Sequence, residues 1–187
     1  MILYHGTSVG SAEYIKKRGV LLEKCKDYTD FGKGFYTSKN EKFAISTAVN
    51  KCLKSKARGV SIDPAVVAFE FDETSLNMLN NYIFEDNNIE WLQFIINNRN
   101  GLNYTRSIND DFHNLDSSYE IVQGGIADGR IVEYADECRV KNRKASSIFL
   151  RSFMYEDEFE AHQTSFHTKR ALSFLHYVGF REVTDYE

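Results

Sequence analysis

The 187-residue chain lacks the features that mark several large classes of protein. Its apolar runs are all shorter than the roughly 18 residues that a membrane-spanning helix needs, and its first residues carry no basic n-region of the secretory type. Aspartate and glutamate (27) outnumber lysine and arginine (23), so no overall positive field drives non-specific binding to nucleic acid. These absences predict a cytoplasmic protein without a membrane partner.

Cysteine is scarce, and its spacing excludes two kinds of site. Cys25, Cys52 and Cys138 are far apart and odd in number, which argues against a disulfide framework or a zinc site. The five histidines show neither HxxxH nor HExxH spacing. We therefore expect free thiols in a reducing compartment and no bound metal.

The composition that remains is typical of a packed protein. Hydrophobic residues make up 42% of the chain and aromatic residues 14%, which supplies enough apolar area to offset the entropy of an ordered chain. The sequence shows no repeat, linker or low-complexity tract. It predicts one domain over residues 1–187.

Periodicity and capping residues predict mixed secondary structure. Strands are expected at 2–5, 35–38, 65–72, 160–166 and 180–186, with a shorter one in "YEIVQGG". Helices are expected after the N-caps Ser11, Asn40 and Thr168, and over 87–99. The Asn-rich stretch 97–118 is typical of a surface excursion, and Met78 and Trp91 are expected in the core. Because strands outnumber βαβ units, an α+β fold with antiparallel sheets is favoured.

The stretch "DFGKGFYTS", residues 30–38, places two glycines and a lysine between an acidic residue and a pair of aromatic residues. It is too short for the phosphate loop GxxxxGK[ST], and it precedes a strand, whereas the dinucleotide motif GxGxxG follows one. Taken alone, it predicts a turn with positive φ at Gly32 and Gly34.

Together with "LYHGTS", residues 3–8, this motif resembles the ADP-ribosyltransferase superfamily, and the poly(ADP-ribose) polymerase branch in particular. That branch has a His-Gly segment followed by FGKG, an aromatic residue and Tyr. With "WLQFIINNR", "YEIVQGGIADGRI" and "QTSFHTKRAL", the whole chain also looks like a bacterial and phage family of that superfamily known as a domain of unknown function. The resemblance implies two packed antiparallel sheets with flanking helices and an NAD cleft.

The resemblance also implies roles for individual residues. His5 would bind the adenosine ribose, Gly6 would present its backbone to the nicotinamide carboxamide, and Tyr36 would stack on the nicotinamide ring. Ala44 stands where the polymerases often have a serine that contacts the carboxamide. His5, Tyr36 and Gln163 are the catalytic candidates, and the implied NAD contacts are His5, Gly6, Thr7, Gly34, Tyr36 and Gln163.

Gln163 departs from the superfamily pattern, which has a glutamate near the start of this late strand. An amide can accept a hydrogen bond from the ribose 2′-hydroxyl, but it carries no charge and cannot take a proton. Gln163→Glu is therefore expected to raise NAD cleavage. If the strand register differs by one residue, Glu160 is the acid instead.

The resemblance implies an enzyme that cleaves the nicotinamide–ribose bond of NAD and passes ADP-ribose to a macromolecular acceptor, protein or nucleic acid, or to water. Family analogy adds a toxin or phage-defence role and an antitoxin partner. Two alternatives remain: a module that binds NAD or ADP-ribose without catalysis, and a fold used for protein–protein contact.

Overall fold

The computed structural model describes residues 1–127, 129–153 and 162–184, which fold as a mixed α+β structure with two sheets. The strands are β1 (Ile2–Ser8), β2 (Phe35–Thr37), β3 (Pro64–Phe71), β4 (Asn81–Ile83), β5 (Ile121–Gly125), β6 (His162–Phe166) and β7 (Leu175–Glu182). The helices are α1 (Val9–Arg18), α2 (Glu41–Lys56), α3 (Ile89–Ile108), α4 (Gly129–Lys141), α5 (Ser147–Phe153) and α6 (Lys169–Leu172). None of the helices in these ranges combines the length and apolar character needed to cross a bilayer.

The two sheets are mostly antiparallel, as expected. The first has the order β1-β3-β7, and the second has the order β2-β6-β5-β4, in which only β4 and β5 run parallel. An isolated β-bridge joins the sheets, because the backbones of Tyr4 and Ser38 exchange hydrogen bonds of 2.8 and 2.9 Å. β1 therefore contacts both sheets and holds β2 beside it.

The inner faces of the two sheets pack through aromatic side chains. Phe71 of β3 meets Phe166 of β6 with ring centroids 5.3 Å apart, and Phe35 of β2 meets Phe69 of β3 at 5.5 Å, both edge to face. A second core cluster lies beneath α3 and α4 and contains the fully buried Trp91. The expected core position of Trp91 is confirmed.

Several expected elements differ in extent. Ser8, and not Ser11, caps α1, since its side chain accepts the backbone N–H of Ser11. Asn40 and Thr168 cap α2 and α6 as expected. The helix after Thr168 ends at Leu172, because the next residues form β7 and pair with the central strand β3, so tertiary pairing overrides local helical pattern.

Two predictions about burial are wrong. Met78 is 54% exposed and not part of the core. The stretch 97–118 is not a surface excursion, because α3 continues to Ile108 and the side chains of Asn97, Asn98 and Asn114 are fully buried. Their side-chain amides are hydrogen-bonded mainly to backbone groups; the backbone N–H of Asn114, for example, donates to Asn98 Oδ1 over 2.8 Å. Buried polar groups that are all hydrogen-bonded can occupy a core.

Helix α2 lies unusually close to β1, and Gly6 makes this possible. A Cβ at Gly6 would overlap the carbonyl oxygen of Ala44 and approach the Ala48 nitrogen to 2.9 Å. Ala44 and Ala48 are themselves buried and small. The glycine of the His-Gly pair is thus explained by helix packing.

We predict that Gly6→Ala lowers the free energy of unfolding by about 1–3 kcal/mol, as overpacking does in tight cores. Gly10→Ala is the matched control, because Gly10 lies in α1 with no atom within 4 Å of the added Cβ. It should raise stability by about 0.5 kcal/mol. Urea unfolding followed by circular dichroism measures both, and equal effects would contradict the packing argument.

Candidate functional site

Two adjoining cavities border β1 and β2; the first lies towards α2, and the second lies towards α1 and the loop that follows it. The first cavity has a volume of about 210 Å³ and is lined by Tyr4, His5, Gly6, Thr29, Asp30, Tyr36, Thr37, Ser38, Phe43, Ala44, Thr47, Arg99 and Gln163. The second cavity, of about 570 Å³, is within the range usual for ligand pockets. His5, Thr29 and Tyr36 line both cavities, so they form a shared wall.

The residues singled out from sequence divide between these cavities. His5, Gly6, Tyr36 and Gln163 line the first cavity. The second cavity takes Thr7 and Gly34, again with His5 and Tyr36. Glu160 lies outside the described residues. The strand register of β6 pairs Gln163 with Gly124 and leaves its side chain 7% exposed at the cavity wall.

His5 is held as a neutral ring with a defined tautomer. Its Nδ1 lies 2.7 Å from the carbonyl oxygen of Tyr36, which can only accept, so Nδ1 carries the proton and Nε2 is a hydrogen-bond acceptor. Burial lowers the pKa of His5 to about 4, the hydrogen bond to Tyr36 opposes this, and the charge of Lys51 adds to the lowering. Near neutral pH His5 therefore offers an uncharged acceptor to a ligand.

The Tyr36 hydroxyl is fully engaged in shaping the glycine loop. It donates to the Gly32 carbonyl over 2.7 Å and accepts the Phe31 N–H over 2.9 Å, and the Thr29 hydroxyl lies 3.0 Å away. Burial, with the nearby Asp30 carboxylate, raises the pKa of Tyr36 well above its usual value. Tyr36 thus stays protonated, and its ring is the part that faces the cavities.

The two glycines of the motif have different structural reasons. Gly32 has φ 87°, as predicted, and a Cβ there would come within 2.6 Å of the Asn114 carbonyl oxygen. Gly34 does not have the predicted positive φ; a Cβ there would instead approach the ring of His167 to 2.7 Å. His167, which sequence reasoning left unassigned, is 4% exposed.

His167 fixes the glycine loop from the other side. Its Nδ1 lies 2.9 Å from the Lys33 carbonyl and its Nε2 lies 2.8 Å from the Ser165 hydroxyl. Burial lowers the pKa of His167 to about 4. The ring is therefore neutral and structural.

The most informative contacts of the first cavity involve two residues that sequence reasoning missed. Asp30 is 7% exposed, and its Oδ1 accepts hydrogen bonds from Nε of Arg99, at 2.8 Å, and from Nη2. Its Oδ2 accepts from Nε2 of Gln163 at 2.9 Å. The available signal was an acidic residue at the start of the glycine motif and an arginine after the apolar run of α3.

The rim of the second cavity is rich in lysine. Lys51 of α2 donates to the Thr7 hydroxyl over 3.0 Å, and Lys24 and Lys26 line the same cavity. Partial burial and the like charge of Lys26 lower the pKa of Lys51. Within the described residues, Lys51 makes no ion pair with a carboxylate. The second cavity is thus electropositive.

The fold and the site define a mixed α+β protein with a ligand-sized double cavity. Residues 1–177 match the family described as "Protein of unknown function (DUF3990)", so the chain belongs to this family. A search of curated proteins and a search of solved structures found no match. Among the described residues, no group of three or more His, Cys, Asp or Glu side chains is placed to hold a metal ion.

We predict that stability falls on acidification because His5 and His167 are buried neutral. A histidine with pKa about 4 when folded and about 6.5 when unfolded binds more protons in the unfolded chain between these pH values. The contribution of these histidines to the free energy of unfolding is then fully present above about pH 6.5 and is lost progressively towards pH 4. For His167 the loss amounts to about 3 kcal/mol, at 1.36 kcal/mol per pKa unit.

Urea unfolding between pH 7.5 and 4.5 tests this for the wild type, His167→Asn and His176→Asn. His176 is exposed on β7 and serves as the matched control. His167→Asn should show a shallower decline of stability with falling pH, whereas His176→Asn should follow the wild type. If the stability of His167→Asn declines with falling pH as steeply as that of the wild type, His167 is not the buried neutral histidine that causes the decline.

Proposed function

We propose that the protein cleaves the bond between nicotinamide and ribose in NAD and transfers ADP-ribose to a macromolecular acceptor or to water. One observation carries the proposal. His5, Gly6, Tyr36 and Gln163, chosen from three separate sequence motifs, line the same cavity. Their resemblance-based roles and their places around this cavity are mutually consistent.

The chemical state of each group suits its proposed role. The bare Nε2 of His5 accepts a hydrogen bond from a ribose hydroxyl, since the tautomer is fixed by Tyr36. The ring of Tyr36 offers a flat face for the nicotinamide, because its hydroxyl is bound to the loop. Ala44 supplies no hydroxyl, but Thr47, one turn further along α2, also lines the first cavity.

The second cavity suits the rest of a dinucleotide. NAD carries two phosphates between its ribose rings, and an electropositive rim with Lys24, Lys26 and Lys51 favours such a group. Thr7 and Gly34 lie in this cavity and His5 borders both. We therefore place the nicotinamide ribose in the first cavity and the diphosphate and adenosine in the second.

The reaction needs little from the protein beyond positioning. The C1′–N bond breaks with its electron pair leaving on nicotinamide, and an acceptor oxygen or nitrogen forms the new bond to C1′. The proton of the acceptor passes to solvent or to a base that the acceptor brings, because the Gln163 amide cannot take it. We expect slow turnover, since general bases typically contribute about 10²–10⁴-fold.

A second candidate function is an NAD- or ADP-ribose-binding module without catalysis. The observation that favours it is that the carboxylate of Asp30, which faces the first cavity, is already paired with Arg99 and Gln163. A toxin or phage-defence role in the cytoplasm, with an antitoxin partner, follows from the resemblance alone.

We predict that NAD raises the melting temperature of the protein and that nicotinamide is released over time. Incubation of a lysate with the protein and isotope-labelled NAD, followed by mass spectrometry, should show added ADP-ribose on a defined acceptor. A melting shift without nicotinamide release identifies the binding module. Neither a shift nor release would reject both candidates and leave protein–protein contact.

We predict that His5→Asn raises KM for NAD by about 3–10-fold, the worth of one hydrogen bond, while kcat changes little. The asparagine amide still donates towards the Tyr36 carbonyl but lacks the acceptor at the position of Nε2. Steady-state nicotinamide release measures both constants, with exposed His176→Asn as the control. A large fall in kcat at unchanged KM would make His5 an acid or base instead.

A further inference from the structure

The carboxylate of Asp30 fixes the orientation of the Gln163 side-chain amide, that is, which of its two ends carries the nitrogen. Nε2 of Gln163 faces Oδ2 of Asp30 at 2.9 Å and the carbonyl oxygen of Gly125 at 3.4 Å. Both are acceptors, so the nitrogen of the amide must point towards them. Oε1 is consequently directed elsewhere, and within the described part of the chain it accepts no hydrogen bond.

Asp30 itself is immobilised from the opposite side. The guanidinium of Arg99 donates two hydrogen bonds to Oδ1, which leaves Oδ2 for Gln163. Arg99 lies on α3 two residues before the helix breaks at Gly101, whose φ is 80°. Asp30, Arg99 and Gln163 thus form a chain of charge-assisted hydrogen bonds along the wall of the first cavity.

This chain explains why an amide, and not a carboxylate, occupies position 163. A glutamate there would place a second negative charge beside Asp30, and two carboxylates that share a site cannot both ionise readily. A glutamate at position 163 is therefore unfavourable next to an ionised Asp30. For the single substitution Gln163→Glu we therefore infer the opposite of the expectation from sequence, namely slower NAD cleavage.

We propose that Asp30 and Gln163 act as one unit in the reaction: Asp30 holds the amide so that Oε1 of Gln163 accepts the hydrogen bond from the 2′-hydroxyl of the nicotinamide ribose. The proposal rests on the proposed function, because it assumes that this ribose occupies the first cavity. Asp30 is then a positioning residue that acts through Gln163. The negative charge of the site belongs to the glycine loop instead of strand β6.

Asp30→Asn tests the positioning role. It should lower kcat for nicotinamide release by about 10²-fold, as small misplacements of reacting groups do, with KM for NAD changed much less. The matched control is Asp27→Asn, which removes a carboxylate from the same loop; Asp27 pairs with Lys33 at 3.2 Å and is exposed. Asp27→Asn should retain wild-type kcat. A purely structural Asp30 would lower the melting temperature without this selective loss of kcat.

The charge swap tests the unit. Gln163→Glu alone should lower kcat, and its melting temperature should fall relative to the wild type as the pH rises from 5 to 8, because the proton shared by the two carboxyl groups is then lost. The double variant Asp30→Asn/Gln163→Glu restores one charge and one amide. The difference in melting temperature between the double variant and the wild type should no longer depend on pH. Its kcat should return to within about tenfold of the wild type, which would be strong non-additivity of the two substitutions.

Each outcome decides between the proposals. If the wild type releases nicotinamide and the losses of the two single variants simply add in the double variant, the unit is overturned and the proposed function stands. The unit is also overturned if Gln163→Glu alone raises kcat, or if Asp30→Asn leaves it unchanged. A wild type that neither releases nicotinamide nor shifts its melting temperature with NAD overturns both.

Discussion

One buried carboxylate ties together parts of the chain that are far apart in sequence. Asp30 belongs to the loop before β2, Arg99 to α3 and Gln163 to β6, and all three meet through Asp30. Removing Arg99 would leave the buried carboxylate of Asp30 without the cation that compensates its charge, which destabilises a folded protein. The cavity that we assign to NAD therefore has a wall whose geometry is set by this single charge.

The glycine loop is rigid for reasons that lie outside its own sequence. The Tyr36 hydroxyl accepts the Phe31 N–H and donates to the Gly32 carbonyl, and His167 hydrogen-bonds the Lys33 carbonyl. The backbone of Asn114 packs against Gly32. These contacts hold the loop in one conformation and keep the Tyr36 ring at the border of the two cavities. The described residues of the first cavity hold a ligand in position, and the Gln163 amide cannot remove a proton, so in the proposed reaction the acceptor has to lose its proton to another group or to solvent.

Sequence reasoning succeeded where local signals and tertiary packing agree. The strand β3, the cap at Asn40, the buried Trp91 and the positive φ of Gly32 follow from β-branched runs, side-chain capping and turn chemistry. It failed where long-range partners decide: Asn98 and Asn114 suggested polar loop residues because the sequence does not show that the backbone N–H of Asn114 donates to Asn98 Oδ1 in the folded chain. For the same reason the sequence pointed to Gln163 but not to Asp30 and Arg99, which acquire meaning only when the loop, α3 and β6 meet.

The order of strands also has a consequence for synthesis. The short strand β2 (Phe35–Thr37) pairs with β6 (His162–Phe166), and the central strand β3 pairs with β7 (Leu175–Glu182). A chain emerging from the ribosome therefore carries its His-Gly and glycine motifs long before their partners exist, and pairings between distant segments form slowly. The first cavity is complete only after β6 has been made, because Gln163 forms part of its wall, so nascent or truncated chains that end before β6 cannot consume NAD by the proposed reaction.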